Sequence, residues 1–271
     1  PRAGVSYTLA ERNNFYLSFA VAQKEPTRSD FTDRYMFAEA NTYPSSEKLY
    51  DWELGYQYTA PRLSLGVNLY YMKYKDQLVP TGMVNDDSNA LNTNVPDSYR
   101  RGVELSASWR ATGWFTVGAN ATFSQNRIEN YVDALKDSPT YGKELGDMTI
   151  AYSPDVIANA FLNFHHRGFE AVFHTQHVGK QYFTNNENDA LSLDAYCVTN
   201  LNLAYTFRTR TARSVRLGLL INNLFNAEYE SNGYGYSYMD TWSGPAPVRI
   251  DEAYYFPQAP LNVLANVTVK F

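Results

Sequence analysis

The closing stretch of the chain, Leu261 to Phe271, reads LNVLANVTVKF, with apolar and polar residues alternating up to a C-terminal phenylalanine. A period of two puts Leu261, Val263, Ala265, Val267, Val269 and Phe271 on one face of a strand, and Asn262, Asn266, Thr268 and Lys270 on the other. Such a strand needs an apolar medium on one side and water on the other. The closing strand of an outer-membrane β-barrel meets that demand with lipid outside and a wet lumen inside. A sandwich strand facing a protein core would show the same alternation, so the rest of the chain has to decide.

The alternation recurs. Eleven such segments can be read: Gly4–Leu9, Phe15–Ala22, Glu47–Thr59, Leu63–Tyr74, Tyr99–Arg110, Trp114–Asn126, Asp155–His165, Phe169–Tyr182, Leu193–Phe207, Val215–Asn222 and the final one. Most hold about ten residues, close to the ~9–11 that cross a bilayer at a ~45° tilt. Their connections alternate in length. Glu11–Asn14, Ala60–Arg62, Ala111–Gly113, His166–Gly168 and Arg208–Ser214 are short; Gln23–Ser46, Lys75–Ser98, Arg127–Pro154, Phe183–Ser192 and Asn223–Pro260 are long and polar. Short periplasmic turns and long extracellular loops give an outer-membrane barrel this asymmetry, which a Greek-key sandwich has no reason to sustain. The fold class that follows is an all-β, antiparallel transmembrane barrel of about eleven strands.

Composition agrees. Twenty-three tyrosines, 15 phenylalanines and 4 tryptophans sit in a chain whose mean hydropathy is −0.44. Aromatic girdles at the two membrane interfaces, with polar lumen and loops, reconcile the two values. No run of 18 apolar residues is present, which excludes a transmembrane helix. A net charge of −5 and the lack of any basic, aromatic-laced stretch argue against nucleic acid as a partner. The single cysteine, Cys197, allows no internal disulfide and reads as a small packed or lipid-facing residue. The first ten residues, PRAGVSYTLA, show no signal segment, so an exported chain of this kind is expected to be processed or incomplete.

An odd strand count has consequences. Complete bacterial barrels have an even number of strands with both ends in the periplasm, so eleven strands predict part of something larger. A 22-stranded barrel with a plugged lumen is a known size class, and eleven is half of it.

Several segments also resemble a family. PSSEKLYDWELGYQY (Pro44–Tyr58), YRRGVELSASW (Tyr99–Trp109), VGKQY (Val178–Tyr182) with LDAYCVTNLNLAY (Leu193–Tyr205), INNLFNAEYESNGY (Ile221–Tyr234) and YFPQAPLNVLANVTVKF (Tyr255–Phe271) together resemble the C-terminal half of the barrel of TonB-dependent outer-membrane receptors. The last two carry the most specific likeness. The resemblance implies an outer-membrane location in a Gram-negative bacterium and active import of a scarce nutrient such as a ferric siderophore, haem or cobalamin. It implies as partners outer-membrane lipid, an N-terminal half-barrel and plug, the inner-membrane TonB complex and the nutrient itself, with a surface lipoprotein as a further candidate. No cofactor and no catalysis are implied, and Val267, Val269 and Phe271 would serve as the barrel-assembly signal. A passive porin, a barrel-type enzyme and a glycan importer are the alternatives.

Ligand recognition would lie in the long loops. Asn232–Trp242, NGYGYSYMDTW, offers Tyr234, Tyr236, Tyr238 and Trp242 on what reads as a glycine-loosened backbone, suited to flat, partly apolar ligands or sugars; girdle or loop packing is the plainer reading. Arg28, Asp30, Asp33, Arg34 and Tyr35 form a charged tip that could meet an anionic metal chelate or simply be solvated. Asp86 and Asp87, and Glu187 and Asp189, lie in clusters of hard oxygen ligands that could hold calcium, although neither fits the EF-hand spacing. His174 and His177 are three apart on a strand, face opposite sides and cannot share a metal. Asp51 and Glu53 share a lumen face, where they read as hydration of the wall rather than an acid/base pair. Neither a G-x-S-x-G elbow nor a phosphate-binding glycine loop occurs.

Overall fold

The computed structural model describes residues 1–32, 43–84, 90–135 and 137–271. Its strands are β1 (Arg2–Leu9), β2 (Asn13–Lys24), β3 (Glu47–Thr59), β4 (Leu63–Val84), β5 (Ala90–Arg110), β6 (Phe115–Ile128), β7 (Met148–Thr149), β8 (Val156–His166), β9 (Phe169–Val178), β10 (Gln181–Tyr182), β11 (Ser192–Leu193), β12 (Tyr196–Phe207), β13 (Ser214–Asn222), β14 (Glu230–Asp240), β15 (Val248–Pro257) and β16 (Asn262–Lys270). One short helix, α1, spans Arg28–Thr32. The main sheet runs β1-β2-β3-β4-β5-β6-β8-β9-β12-β13-β16, with β7 added on β6. Every pair in it is antiparallel. Those eleven path strands are the eleven read from alternation. Among the described residues β1 and β16 are the open edges of the sheet.

Because neighbours in the chain are neighbours in the sheet, the connections fall alternately at its two ends, with all the short links together at one end. The register lines up the apolar face strand by strand. Leu17 stands opposite Leu54, Leu54 opposite Leu69, Leu69 opposite Val103 and Val103 opposite Phe123. No second sheet covers this row among the described residues, and Leu17, Leu54, Leu69 and Phe123 are exposed. So large an uncovered apolar surface needs lipid or another apolar partner. At its upper margin runs an aromatic chain, Phe19 to Trp52 at 5.1 Å, Trp52 to Tyr71 at 5.7 Å and Tyr71 to Tyr99 at 6.3 Å between ring centroids. At its lower margin Trp114 and Phe115 each stack on Phe164. From Tyr99 to Trp109 along β5 is ten residues, about 33 Å of strand, or roughly 24 Å of height at the usual tilt; a lipid-facing band is ~25 Å tall.

The buried core lies above this wall, at the long-loop end. Val79, Val95, Ile128, Tyr131 and Ile150 form one cluster and Phe183, Leu191 and Leu193 a second. The structure corrects the sequence reading here in three places. Lys75–Ser98 is not a loop over its described residues: β4 runs on to Val84 and β5 begins at Ala90, and the two pair with one another there. At Asp76, in the left-handed region with φ +54°, the regular pairing skips from Lys75↔Asp97 to Gln77↔Val95. The register is unchanged across this point and shifts only further on, between Pro80 and Val84; Gln77 is a buried acceptor for the Ser98 hydroxyl at 2.6 Å. Second, Asn223–Pro260 holds its own hairpin, β14–β15. Third, the strand expected over Phe169–Tyr182 ends at Val178, and Gln181–Tyr182 pairs instead with Ser192–Leu193, so that β12 starts at Tyr196 rather than Leu193.

Candidate functional site

The long connections fold on one another. Asn185, fully buried, donates from Nδ2 to the Pro80 carbonyl at 2.6 Å and accepts from the Ala151 amide at 2.7 Å, tying together three separate connections. Glu187 accepts from the Thr149 amide and hydroxyl and pairs with Arg127 at 2.6 Å. Polar groups buried away from water must be satisfied internally, and here that requirement fixes the loops relative to one another.

The β14–β15 hairpin is the largest element of this cap. One face packs down: a Cβ on Gly233 would come within 2.7 Å of the Phe183 ring, and one on Gly235 within 2.9 Å of both Phe183 and Leu191. These glycines do not loosen the backbone. They let the hairpin lie directly on Phe183 and Leu191, a correction to the reading of this stretch as an adaptable loop. The other face carries Tyr234, Tyr236 and Tyr238 on β14 and Glu252, Tyr254 and Phe256 on β15, with Tyr234 opposite Tyr254 and Tyr236 opposite Glu252.

On that face three phenols converge on one carboxylate. Tyr236 and Tyr254 donate to Glu252 Oε2 at 2.7 and 2.8 Å, and Tyr238 donates to Oε1 at 3.1 Å. These hydrogen bonds hold the Glu252 carboxyl below its usual range and push the Tyr236 and Tyr238 hydroxyls up, Glu252 being the largest cause in both. Rings stack alongside, Tyr234 on Tyr254 at 4.9 Å and 14°. Trp242, at the hairpin's tip, is 94% exposed and stands apart from this cluster. The result is an exposed aromatic wall with a fixed negative charge, able to stack on flat or sugar-like surfaces and to accept hydrogen bonds.

A second feature lies across the cap. A cavity of about 570 Å³ is lined by Ser29, Asp30 and Ser45, by the far end of the β4–β5 hairpin and by 128–134 with Tyr141 and Gly142. Asp30 closes one side, accepting from Asn92 at 2.9 Å and from the Thr27 amide at 2.7 Å. Burial raises the Asp30 carboxyl, but the Asn92 and Thr27 hydrogen bonds outweigh it and leave it lowered. Tyr131, beneath the cavity, is pushed up to about 12 by burial and by Asp133.

Of the remaining candidates, Arg28 is exposed on α1. Asp33, Arg34 and Tyr35, and Asp86 and Asp87 of the proposed calcium cluster, lie outside the described residues. Glu187 and Asp189 are drawn apart, one to Arg127 and the other to Lys180 at 2.5 Å, and no group of three metal-ligating side chains forms among the described residues. His174 and His177 pair with Asn200 and Cys197 on β12 and share no face, as expected. Val267 and Val269 are exposed on the lipid-facing side of β16 opposite Leu217 and Val215, and Phe271 follows at the strand's end. Sequence reading missed Glu252, Tyr254 and Phe256. The alternation Glu252, Tyr254, Phe256 was a strand signal inside a stretch read as loop.

The family model for the TonB-dependent receptor-like β-barrel matches residues 1–224. The chain belongs to that family. Family members are outer-membrane β-barrels, as the resemblance implied. The match stops short of β14–β16, but solved structures extend the likeness over the whole chain. The ferric yersiniabactin uptake receptor FyuA from Yersinia pestis aligns over 100% of this chain and 37% of its own, at 19% identity and a TM-score of 0.69. The copper transporter OprC aligns over 98% and 39%, at 18% and 0.69, and the closed ferric-catecholate import receptor Fiu from E. coli over 98% and 34%, at 19% and 0.67. At such identities the likeness establishes the barrel fold. The chain spans a little over a third of the length of these structures, in keeping with a partial barrel.

Proposed function

We propose that this chain forms the C-terminal half of the wall, and part of the ligand-recognising cap, of a TonB-dependent active transporter in the outer membrane of a Gram-negative bacterium. In this reading the whole molecule binds a scarce nutrient such as a ferric siderophore, haem or cobalamin and imports it unchanged. The observation that carries it is the open eleven-stranded sheet, apolar on its outer face, with a cap built from its long connections alone. A porin needs a wall; it has no need of so much folded structure beyond the membrane.

The missing parts follow from the edges. Unpaired backbone groups in hydrocarbon cost several kcal/mol each, so β1 and β16 require strands from an N-terminal half, and that half would bring the plug and the contact with the inner-membrane TonB complex. Val267, Val269 and Phe271 would form the assembly signal. Within the cap, Tyr234, Tyr236, Tyr238 and Trp242, with Arg28, Arg34 and Tyr35, are the residues we assign to the nutrient; a calcium ion would fall to Asp86 and Asp87, because Glu187 and Asp189 are engaged separately by Arg127 and Lys180.

The test is growth of cells carrying the full-length receptor on ferric chelates, haem or cobalamin as sole source, with and without a working TonB complex. Growth on at least one that depends on TonB is expected. Uptake of all solutes that persists when the proton-motive force is removed would establish a passive pore instead.

A further inference from the structure

The two ends of the sheet are charged differently. At the long-loop end ion pairs are frequent: Lys24 with Glu47, Lys73 with Asp97 and Glu129, Lys75 with Asp97, Arg127 with Glu187, Lys180 with Asp189 and Arg249 with Asp251. At the short-turn end one ion pair forms among the described residues, Arg216 with Glu170 at 2.8 Å, and the arginines of the links and their flanks lie outside it. Arg62, Arg110, Arg167, Arg208, Arg210 and Arg213 are all exposed there, and none forms an ion pair among the described residues. The only carboxylate in these links is Glu11, beside Arg12 in the first. The links are also neighbours in space: the Arg110 amide donates to the Arg62 carbonyl at 2.8 Å, and the Thr206 amide, two residues before Arg208, donates to the Gly168 carbonyl at 2.8 Å.

These arginines adjoin the lower aromatic margin of the apolar wall. Trp109 and Trp114 flank the link after Arg110, Phe169 follows Arg167, and Tyr205 and Phe207 lead into Arg208; all five rings are exposed. Rings of this kind sit at headgroup depth. A guanidinium within a residue or two of them reaches the same layer on a flexible stem, and its planar fork matches two phosphate oxygens.

We propose that the short-turn end is a binding surface for anionic phospholipid headgroups of the adjoining leaflet, with Arg208, Arg210 and Arg213 as its densest part. Charge complementarity and continuity with the lipid-facing wall select this occupant over a protein. A protein partner would have to displace the headgroups that the flanking rings already reach. The proposal rests on the membrane-spanning reading and is independent of transport.

The experiment is native mass spectrometry of the full-length receptor in detergent, with phosphatidylglycerol or phosphatidylethanolamine added at equal concentration. Phosphatidylglycerol adducts should predominate. The triple variant R208Q/R210Q/R213Q should lose about tenfold or more of that preference, and R208K/R210K/R213K, which keeps the charge without the fork, should lose less. Equal binding of the two lipids, or a preference unchanged in the glutamine variant, would overturn the proposal while leaving the barrel intact. Should the glutamine variant fail to fold, the six positions singly changed to glutamine give the same readout, each expected to weaken the preference. A receptor that does not enter detergent micelles at all would overturn the membrane reading together with the proposal.

Discussion

Replacing Phe183 with alanine should detach the β14–β15 hairpin from the cap while leaving the sheet below it in place. Phe183 is 1% exposed and packs with Leu191 and Leu193 beneath the hairpin, against Ala253, Gly233 and Gly235. Its ring also meets Tyr152 and Tyr255 at 5.8 Å each. Removing a buried phenyl ring costs about 3–5 kcal/mol, and a two-stranded hairpin alone is marginal in water. A loss of about 3–4 kcal/mol is a factor of roughly 150–1000 in the closing equilibrium. Hydrogen exchange in the full-length receptor would measure it directly: the amides of 230–240 and 248–257 should lose about two to three orders of magnitude of protection, and those of β12 and β13 should be unchanged. Wild-type protection of the hairpin amides in the Phe183→Ala protein would refute the reasoning, because the hairpin would then be held by something other than this cluster.

The tyrosine–carboxylate cluster predicts a pH dependence. Glu252 has a depressed pKa, so what the cluster contributes is present above the ordinary carboxyl range near 4.5 and is lost as pH falls through the depressed value. Tyrosine fluorescence or local exchange on this face should change in that acid window, Glu252→Gln should abolish the change, and a transition at neutral pH would contradict the assignment. Asn185→Ala leaves the Ala151 amide and the Pro80 carbonyl unpaired; at about 1–3 kcal/mol for each buried group, protease sensitivity of 129–155 should rise, and an unchanged cleavage pattern would show that Asn185 does not hold these connections together. Val267→Arg places a charge on the exposed apolar face of β16 and should cost about 2–4 kcal/mol near mid-membrane, lowering the amount of heat-modifiable barrel. Asn266→Arg, on the other face, should be tolerated, and equal effects of the two would contradict the assignment of faces.

What the sequence determined by itself was the wall. In a strand of period two the environment of each residue depends only on its own parity, so Leu17, Leu54, Leu69 and Val267 could be placed on the outer face from the pattern alone, and β3 was read to its exact ends. The alternating link lengths likewise gave the order and direction of all eleven path strands. The cap was decided by tertiary structure. Lys75–Ser98 is rich in Asn and Asp and reads as a loop, yet pairing between β4 and β5 and contact of Val79 and Val95 with Ile128 hold Lys75–Val84 and Ala90–Ser98 extended. Gly233 and Gly235 signalled freedom in the sequence and mean close approach in the fold, because their space is taken by a phenylalanine some fifty residues earlier in the chain. Glu252 gained its three phenol donors only when β15 folded back on β14. A repeating pattern records a uniform medium such as lipid, whereas a cap built from one-off contacts between distant residues leaves no period to read.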